Sequence, residues 1–243
     1  PVMRDSHNKM SKRHGDPSYE DLLAQGYLSD AVLNYVALLG WSPGGEREIY
    51  SLNELVDVFN IYGISKSPAI FDIDKLTYFN SEYIRALAPE KFAEIAAPYI
   101  KSVITKDNIS IDEIAALLQP RCEKLTDIPE KIDFFQALPE YSIELFTHKK
   151  SKCNPNVAKD MLTAAIAAFE DIADWTNDNI HDCLISLAEK LGVKNATLMW
   201  PVRIAAAGKA VTPGGAVEIC HILGKNETVS RLKAGLAKLE QEG

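Results

Sequence analysis

NPNVAKDMLTAAIAAFEDI, residues 154–172, is the stretch that decides the fold. Asn154 followed by Pro155 is a typical helix start, because asparagine caps free amides and proline needs no amide at the first helical position. One apolar stripe follows at helical spacing and a second set widens it: Val157, Met161, Ala165, Ala168 and Ile172, then Leu162, Ile166 and Phe169. The segment is therefore predicted to be a long, largely buried helix.

Helical spacing also dominates the first hundred residues. Ser29 is predicted to cap a helix that Gly40 ends, and the apolar positions between them recur every three or four residues. These positions are Val32, Leu33, Val36 and Leu39. Strand-like alternation is short and is clearest at residues 2–4 and 69–71. The chain is therefore predicted to be mainly α, with at most a little β structure.

Two capping boxes mark further helix starts. Ser51 with Glu54, and Ser110 with Glu113, each place a hydroxyl and a carboxylate where they can satisfy the first free amides of a helix. Polar residues over 101–110 separate two helical blocks. We therefore predict a domain boundary near residue 105, with one domain over residues 1–105 and a second over 106–243.

Composition narrows the functional classes. The 243 residues are 47% hydrophobic and 25% charged, which allows a substantial core. No apolar run approaches the roughly 20 residues that cross a bilayer, so no membrane association is expected. The widely spaced cysteines fit reduced thiols in a cytoplasmic protein, and neighbours such as Cys220 and His221 point apart on a helix, so no metal site is predicted.

Charge argues against a general nucleic-acid binder but not against local sites. The formal net charge is −8, whereas bulk attraction to phosphates needs an excess of Lys and Arg. Cations nevertheless concentrate in KMSKRH at 9–14, in HKKSK at 148–152 and in the segment after residue 200. Each cluster alone is typical of a solvated face.

The stretch KMSKRHGD at 9–16 is the densest of these clusters. A loop of Lys, Ser and Gly can bring ammonium groups to a polyphosphate and stabilise a pyrophosphate leaving group. The alternative is a disordered basic terminus that contacts nothing. KMSKR resembles the KMSKS signature of the class I aminoacyl-tRNA synthetases, and its sequel at 14–43 is similar to the bacterial glutamyl-tRNA synthetase version.

The resemblance continues in ordered blocks to the end of the chain. They are FDIDKLTYFNSEYIR (71–85), LLQPRCEKLTDIPEKIDFF (117–135), PVRIAAAGK (201–209) and TPGGAVEI with LGKNETVSRL (212–232). The resemblance implies a stem-contact-type helical domain followed by an all-α anticodon-binding cage. It also implies catalytic roles for Lys9 and Lys12, with Lys12 nearest the ATP phosphates.

The resemblance further implies which residues contact the tRNA. Arg121 is expected to read the third anticodon base and to favour glutamate tRNA over glutamine tRNA; the alternative is that it only neutralises a helix end. Arg203, Lys209 and Thr212 are expected near the first two anticodon bases. The Arg203 guanidinium is expected to face outward, while Thr212 has a competing interpretation as an ordinary helix N-cap. The HKKSK cluster is a candidate contact to the phosphate backbone.

The sequence contains no HIGH-type signature, and it begins at Pro1 rather than at a methionine. We therefore expect a fragment that neither activates glutamate nor charges tRNA alone. The whole protein is expected to be a monomeric glutamate–tRNA ligase that uses ATP with Mg²⁺, glutamate and tRNA(Glu), while the fragment holds no cofactor.

Two alternatives remain. An α-helical protein-interaction scaffold with a vestigial basic loop is the first. The second, a glutaminyl-tRNA synthetase, is disfavoured. That enzyme reads its anticodon with β-barrels, whereas the second half of this chain lacks strand alternation.

Overall fold

The computed structural model describes residues 2–242 and is mainly helical, as predicted. The helices before residue 105 are α1 Tyr19–Ala24, α2 Ser29–Leu38, α3 Leu52–Val58, α4 Ile73–Ala86 and α5 Pro89–Lys101. Those that follow are α6 Ile111–Leu118, α7 Ile128–Gln136, α8 Pro155–Glu170, α9 Asn177–Lys190, α10 Asn195–Ala207, α11 Ala216–Leu223 and α12 Lys225–Glu242. Within residues 2–242, no helix combines the length and the hydropathy that a membrane span requires.

A short parallel strand pair lies at the start of the fold. β1 Val2–Met3 pairs with β2 Ala69–Ile70, so that Val2 lies opposite Ala69. Both stretches with strand-like alternation therefore form strands, which confirms that prediction. A turn over residues 4–8 follows β1 and returns the chain to it, so that Lys9, at the start of the cationic loop over residues 9–16, bridges Met3.

The chain divides into two compact units. The first contains the residues up to Tyr99 together with Gln119–Ile128, and the second contains Ile100–Leu118 together with the residues from Pro129 onward. The chain thus passes between the units more than once. The single boundary expected near residue 105 stays a prediction.

The core of the first unit forms where α2 packs on α4. Its buried cluster consists of Leu22, Tyr27, Val32, Tyr35, Leu76 and Phe79. Ala31, Val32 and Tyr35 face inward, whereas Leu33 and Val36 are 41% and 48% exposed. Two of the four apolar positions that mark the helical spacing, Leu33 and Val36, therefore lie outside the core, because contact with α4 selects the neighbouring stripe of the helix.

The start of α2 also differs from the sequence prediction. Leu28, not Ser29, occupies the N-cap position, and it makes no side-chain capping bond. The Ser29 hydroxyl lies 2.8 Å from the Tyr19 hydroxyl instead. A serine one position inside the helix is therefore used as a tertiary contact rather than as a cap.

Both serines of the predicted capping boxes cap helices. The Ser51 hydroxyl accepts from the Glu54 amide at 3.2 Å, while the Glu54 carboxylate accepts from the Ser51 amide at 2.8 Å. The Ser110 hydroxyl accepts from the Glu113 amide at 3.2 Å. The Glu113 carboxylate, however, lies 2.8 Å from Nε2 of His221 on α11, so it joins two helices of the second unit.

Helix α8 is the centre of the second unit, where it packs against α9, α10 and α12. It begins as predicted, with the Asn154 side chain accepting from the Val157 amide at 3.0 Å and Pro155 in the first turn. The buried residues on it are Ala158, Met161, Leu162, Ala165, Ile166 and Phe169. The long buried helix expected at 154–172 is thereby confirmed, although it ends at Glu170 and leaves Ile172 beyond it.

Candidate nucleic-acid interface

The cationic loop is folded back on β1. Lys9 forms an antiparallel bridge with Met3, and the Met10 amide donates to the Val2 carbonyl at 3.2 Å. Ser11 then caps a short 3₁₀ helix over Lys12–His14 by accepting from the Arg13 amide. The loop therefore has defined local structure.

Asp16 closes the loop from its far end. Its carboxylate accepts from the Ser11 amide at 2.7 Å and pairs with Arg4 Nε at 3.1 Å, and its side chain is only 12% exposed. Gly15 makes the reversal possible, because its φ of +81° is a conformation that favours glycine. The largely buried Asp16 carboxylate thus links the loop at Ser11 to Arg4, next to β1.

The two lysines assigned to ATP chemistry lie on the outside of this loop. Lys9 and Lys12 are exposed, and neither forms an ion pair with another residue in the described range 2–242. Hydrogen bonds from Ser18 lower the pKa of the Asp21 carboxyl, and the charge of Lys12 lowers that pKa further. Lys12 therefore lies near the acidic start of α1 without forming an ion pair there.

Arg121 is the last residue of a 3₁₀ helix, Gln119–Arg121, in the first unit, and its side chain is exposed. The segment beneath it is held by hydrogen bonds at both ends. Gln119 Nε2 donates to the carbonyls of Ile84 and Leu87 at 3.0 and 2.9 Å. Arg121 is therefore an exposed arginine on a fixed segment.

The other end of that segment rests on the turn after α1. The Leu125 amide donates to the Gly26 carbonyl at 3.1 Å, and the Thr126 hydroxyl donates to the Gln25 carbonyl at 2.6 Å. A Cβ on Gly26 would lie 2.6 Å from the Thr126 nitrogen. Glycine is therefore required for the close approach of these two backbones.

In the second unit, the Arg203 guanidinium is held by three partners. It donates to the Thr212 hydroxyl at 2.7 Å and to the Ala210 carbonyl at 3.0 Å, and its central carbon lies 4.6 Å from the Trp200 ring centroid. Burial lowers the pKa of this guanidinium. Val202 and Ile204, on either side of Arg203, are buried. The guanidinium does not simply face outward, however, because the loop after α10 folds back over it.

Thr212 is part of that loop rather than a helix cap. Its hydroxyl donates to the Gly214 carbonyl at 2.8 Å, and α11 begins later, with Gly215 at the N-cap position. The alternative interpretation of Thr212 as an N-cap was therefore wrong. Its neighbour Val211 is 85% exposed and was missed from the sequence, because a single valine in a loop carries no periodic signal.

The Lys209 ammonium already binds two partners within the protein. Its Nζ lies 2.5 Å from the Asp133 carboxylate and 2.6 Å from the Glu130 carbonyl, both on α7. Arg203 and Thr212 thus form one cluster with Val211 beside them, whereas the Lys209 ammonium joins the loop to α7. A direct RNA contact by Lys209 would require sharing or breaking this ion pair.

Trp200 is a second feature of this site that the sequence analysis did not single out. It lies inside α10 and its indole Nε1 donates to the Leu145 carbonyl at 3.0 Å. The His148 ring stacks on it, with centroids 3.8 Å apart and planes 8° from parallel. Trp200 therefore contacts both Arg203 and the HKKSK segment.

The mainly helical body carries cationic and hydroxyl groups on fixed loops, and no cluster of metal-ligating side chains occurs among residues 2–242. These features define a mainly helical domain with cationic groups on ordered loops. A family model described as "Anticodon binding domain" matches residues 91–236, and one described as "tRNA synthetases class I (E and Q), catalytic domain" matches residues 2–78. The chain belongs to the anticodon-binding domain family of the first of these models.

Individual relatives agree with this assignment. The chain is 49% identical over 241 residues to a glutamate–tRNA ligase of Clostridium acetobutylicum, covering 99% of this chain and 50% of the relative. It is 50% identical over 242 residues to a glutamate–tRNA ligase of Clostridium tetani, covering 100% of this chain and 49% of the relative. The chain thus spans about half the length of the curated relatives it matches.

A solved structure is similar in fold. The crystal structure of a glutamate tRNA ligase from Elizabethkingia meningosepticum, in complex with its amino acid, matches with a TM-score of 0.80 at 24% identity. The match covers 98% of this chain and 50% of that one. The mainly α fold expected from the sequence is therefore shared with a known structure.

Proposed function

We propose that this chain is the C-terminal, tRNA-binding half of a glutamate–tRNA ligase, which attaches glutamate to tRNA(Glu) with ATP. The observation that carries the proposal is the 2.7 Å hydrogen bond between Arg203 and Thr212. Two residues assigned to anticodon contact by resemblance meet in one cluster, with one face of the guanidinium against Trp200. A pre-ordered guanidinium of this kind loses little freedom when it binds an unpaired base.

In this proposal Arg121 reads the third anticodon base. Its exposure and the hydrogen-bonded segment beneath it support the role, since a planar donor set in a fixed position accepts only certain base edges. Of the two proposed tRNA contacts, Arg121 belongs to the first unit and the Arg203 cluster to the second. Discrimination of glutamate tRNA from glutamine tRNA follows from Arg121.

Lys9 and Lys12 are proposed to act on ATP that is bound with Mg²⁺ and glutamate by the other half of the protein. Two exposed lysines on a loop closed by Asp16 fit a polyphosphate, because neither ammonium has to leave an ion pair with a residue in 2–242. Bound ATP would supply the phosphate chemistry that activates glutamate. The loop of this chain supplies positive charge at the pyrophosphate. Alone, the chain is proposed to be inactive, monomeric and cytoplasmic.

The test is binding of this chain to two anticodon stem-loops that differ only in the third anticodon base, C or G. We expect the C form to bind about tenfold tighter or more, which corresponds to about 1–3 kcal/mol from one well-formed base contact. Arg121→Gln should remove the preference, whereas Arg47→Gln, at an exposed arginine paired with Glu54, should keep it. Equal affinity of the unaltered chain for both stem-loops would refute the assignment of Arg121, and no binding to either would refute the proposed function.

One observation favours a second candidate, a protein-interaction scaffold. Apolar side chains on and after α3 are exposed, including Val56, Phe59, Ile61 and Tyr62, the last at 92%. The salt dependence of binding distinguishes the two candidate functions. RNA binding should weaken steeply between about 50 and about 200 mM salt, whereas an apolar protein interface should not.

A further inference from the structure

The HKKSK segment at 148–152 forms a tight turn. The His148 amide donates to the Cys153 carbonyl at 2.9 Å, and the Cys153 amide donates back to the His148 carbonyl at 3.2 Å. Lys152 closes the turn at a φ of +49°, a conformation that is uncommon outside glycine. The lysines are therefore carried by a closed turn and not by an extended linker.

The turn is also fixed by side chains. His148 Nδ1 lies 2.8 Å from the hydroxyl of Ser151, which is buried, while the His148 ring stacks on Trp200. Trp200 in turn lies against the Arg203 guanidinium. The turn and the Arg203 cluster thus belong to one continuous set of contacts within the second unit.

The three lysines of this turn carry charge that the fold does not neutralise. Lys149, Lys150 and Lys152 are exposed, and none forms an ion pair with a residue in the described part of the chain. Several other lysines of the second unit do: Lys209 pairs with Asp133, Lys233 with Glu170 and Lys238 with Glu140. In a chain of net charge −8, three ammonium groups on one turn, without ion pairs among residues 2–242, form a local concentration of positive charge.

We propose that the HKKSK turn binds the sugar–phosphate backbone of the same RNA strand whose bases reach the Arg203 cluster. The inference rests on the proposed function. Ammonium groups act as point charges towards phosphates and do not read bases, so the turn would position the strand while the cluster reads it. Because the turn is already ordered, little conformational entropy is lost on binding.

The experiment measures the affinity of the full chain for the glutamate anticodon stem-loop as salt rises from about 50 to about 200 mM. Lys149→Gln, Lys150→Gln and Lys152→Gln are combined in one variant. Each phosphate contact to a single strand contributes about 0.7 to the slope of log affinity against log salt, so the slope should fall by about 2 and the low-salt affinity by roughly tenfold. The ratio between the C and G stem-loops should stay unchanged.

Two matched variants sharpen the test. Lys101→Gln, Lys190→Gln and Lys194→Gln together remove the same charge elsewhere in the second unit and should leave the slope unchanged. Replacing the three turn lysines by arginine keeps the charge and should retain the slope. Equal slope changes in the two glutamine triples would overturn the inference, because the turn would then contribute only bulk charge.

Further outcomes distinguish failure of this inference from failure of the proposed function. If the unaltered chain binds the stem-loop and the turn variant keeps its slope, the inference fails while the proposed function stands. If the unaltered chain does not bind, the proposed function itself fails. Binding of poly-glutamate or of anionic lipid vesicles that depends on the three lysines, with RNA binding that does not, would assign the turn to another partner and overturn the inference.

Discussion

Arg203 Nη1 lies 2.7 Å from the hydroxyl oxygen of Thr212, nine residues further along the chain. This bond and the one from Arg203 to the Ala210 carbonyl join α10 to the loop that follows it. The chain can reverse there because Gly208 ends α10 with a φ of +63°. Thr212 also donates to the Gly214 carbonyl, so its hydroxyl serves both as acceptor and as donor. Thr212 is therefore one of the three partners that hold the guanidinium, and the one whose side chain also fixes the loop.

Thr212→Val should destabilise the chain and weaken RNA binding. Valine has the shape of threonine but no hydroxyl, so the half-buried guanidinium loses an acceptor and the Gly214 carbonyl loses a donor. We expect a loss of about 1–3 kcal/mol in the free energy of unfolding, measured in urea. Thr212→Ser keeps the hydroxyl and should retain most of the stability. If both variants unfold at the same urea concentration as the parent, the hydroxyl does not hold Arg203.

Gly26→Ala should disrupt the segment that carries Arg121. Alanine would adopt a φ of +87° and place its Cβ 2.6 Å from the Thr126 nitrogen. The unfavourable conformation costs about 1–2 kcal/mol and the overlap about 1–3 kcal/mol more, so the free energy of unfolding should fall by about 3 kcal/mol. Gly44→Ala is the matched control, since Gly44 has a φ of +84° and no neighbour within 4 Å of a Cβ.

The two glycine variants separate conformational strain from steric overlap. Gly44→Ala should lose only the conformational part of the cost. Equal losses in the two variants would show that the approach of Gly26 to Thr126 is not tight. Stem-loop discrimination by Arg121 should be lost in Gly26→Ala and kept in Gly44→Ala.

Glu54 should make stability depend on pH. The Arg47 guanidinium, and after it the amide and hydroxyl of Ser51, lower the pKa of the Glu54 carboxyl from 4.5 to about 2. A carboxyl with a lowered pKa stabilises the fold above its ordinary pKa, and this contribution is lost as the pH falls towards about 2. The stability difference between the parent chain and Glu54→Gln should therefore be present at neutral pH and shrink below about pH 4.5. A difference that stays constant down to the acid limit would contradict the assignment.

Local signals in the sequence predicted local structure well. The Asn154 cap, the Ser51–Glu54 box and both strand-like stretches depend on residues within a few positions of one another, and the structure contains all of them. The helical spacing on α2 did not show which apolar residues would be buried, and Leu33 and Val36 are exposed. Two overlapping stripes on that helix satisfy helical spacing, and only packing against α4 selects one of them.

The residue types at the candidate site were predictable, but their partners were not. Lys209 is a cation in a glycine-rich loop, yet its ammonium binds the Glu130 carbonyl, 79 residues earlier, and the Asp133 carboxylate. Thr212 before a proline has the pattern of an N-cap, but the helix begins later and the hydroxyl is used by Arg203. Contacts between distant parts of the chain carry no local sequence signal.

The stack between His148 and Trp200 can be tested without RNA. His148→Ala removes a parallel ring contact, worth about 0.5–1.5 kcal/mol, and leaves the buried Ser151 hydroxyl without its imidazole partner, worth about 0.5–1.5 kcal/mol more. His148→Phe keeps a flat ring on Trp200 but not the hydrogen bond, whereas His148→Asn keeps a polar atom near Ser151 but not the ring. In urea unfolding, His148→Ala should therefore be less stable than both other variants.

The fluorescence emission of Trp200 gives a second measurement, and comparison with Trp200→Phe isolates it from the other tryptophans. The emission should shift in the alanine and asparagine variants, because only a ring shields the indole face from water. In the phenylalanine variant it should stay close to that of the parent. Unchanged emission in all three would mean that the turn is not seated on Trp200.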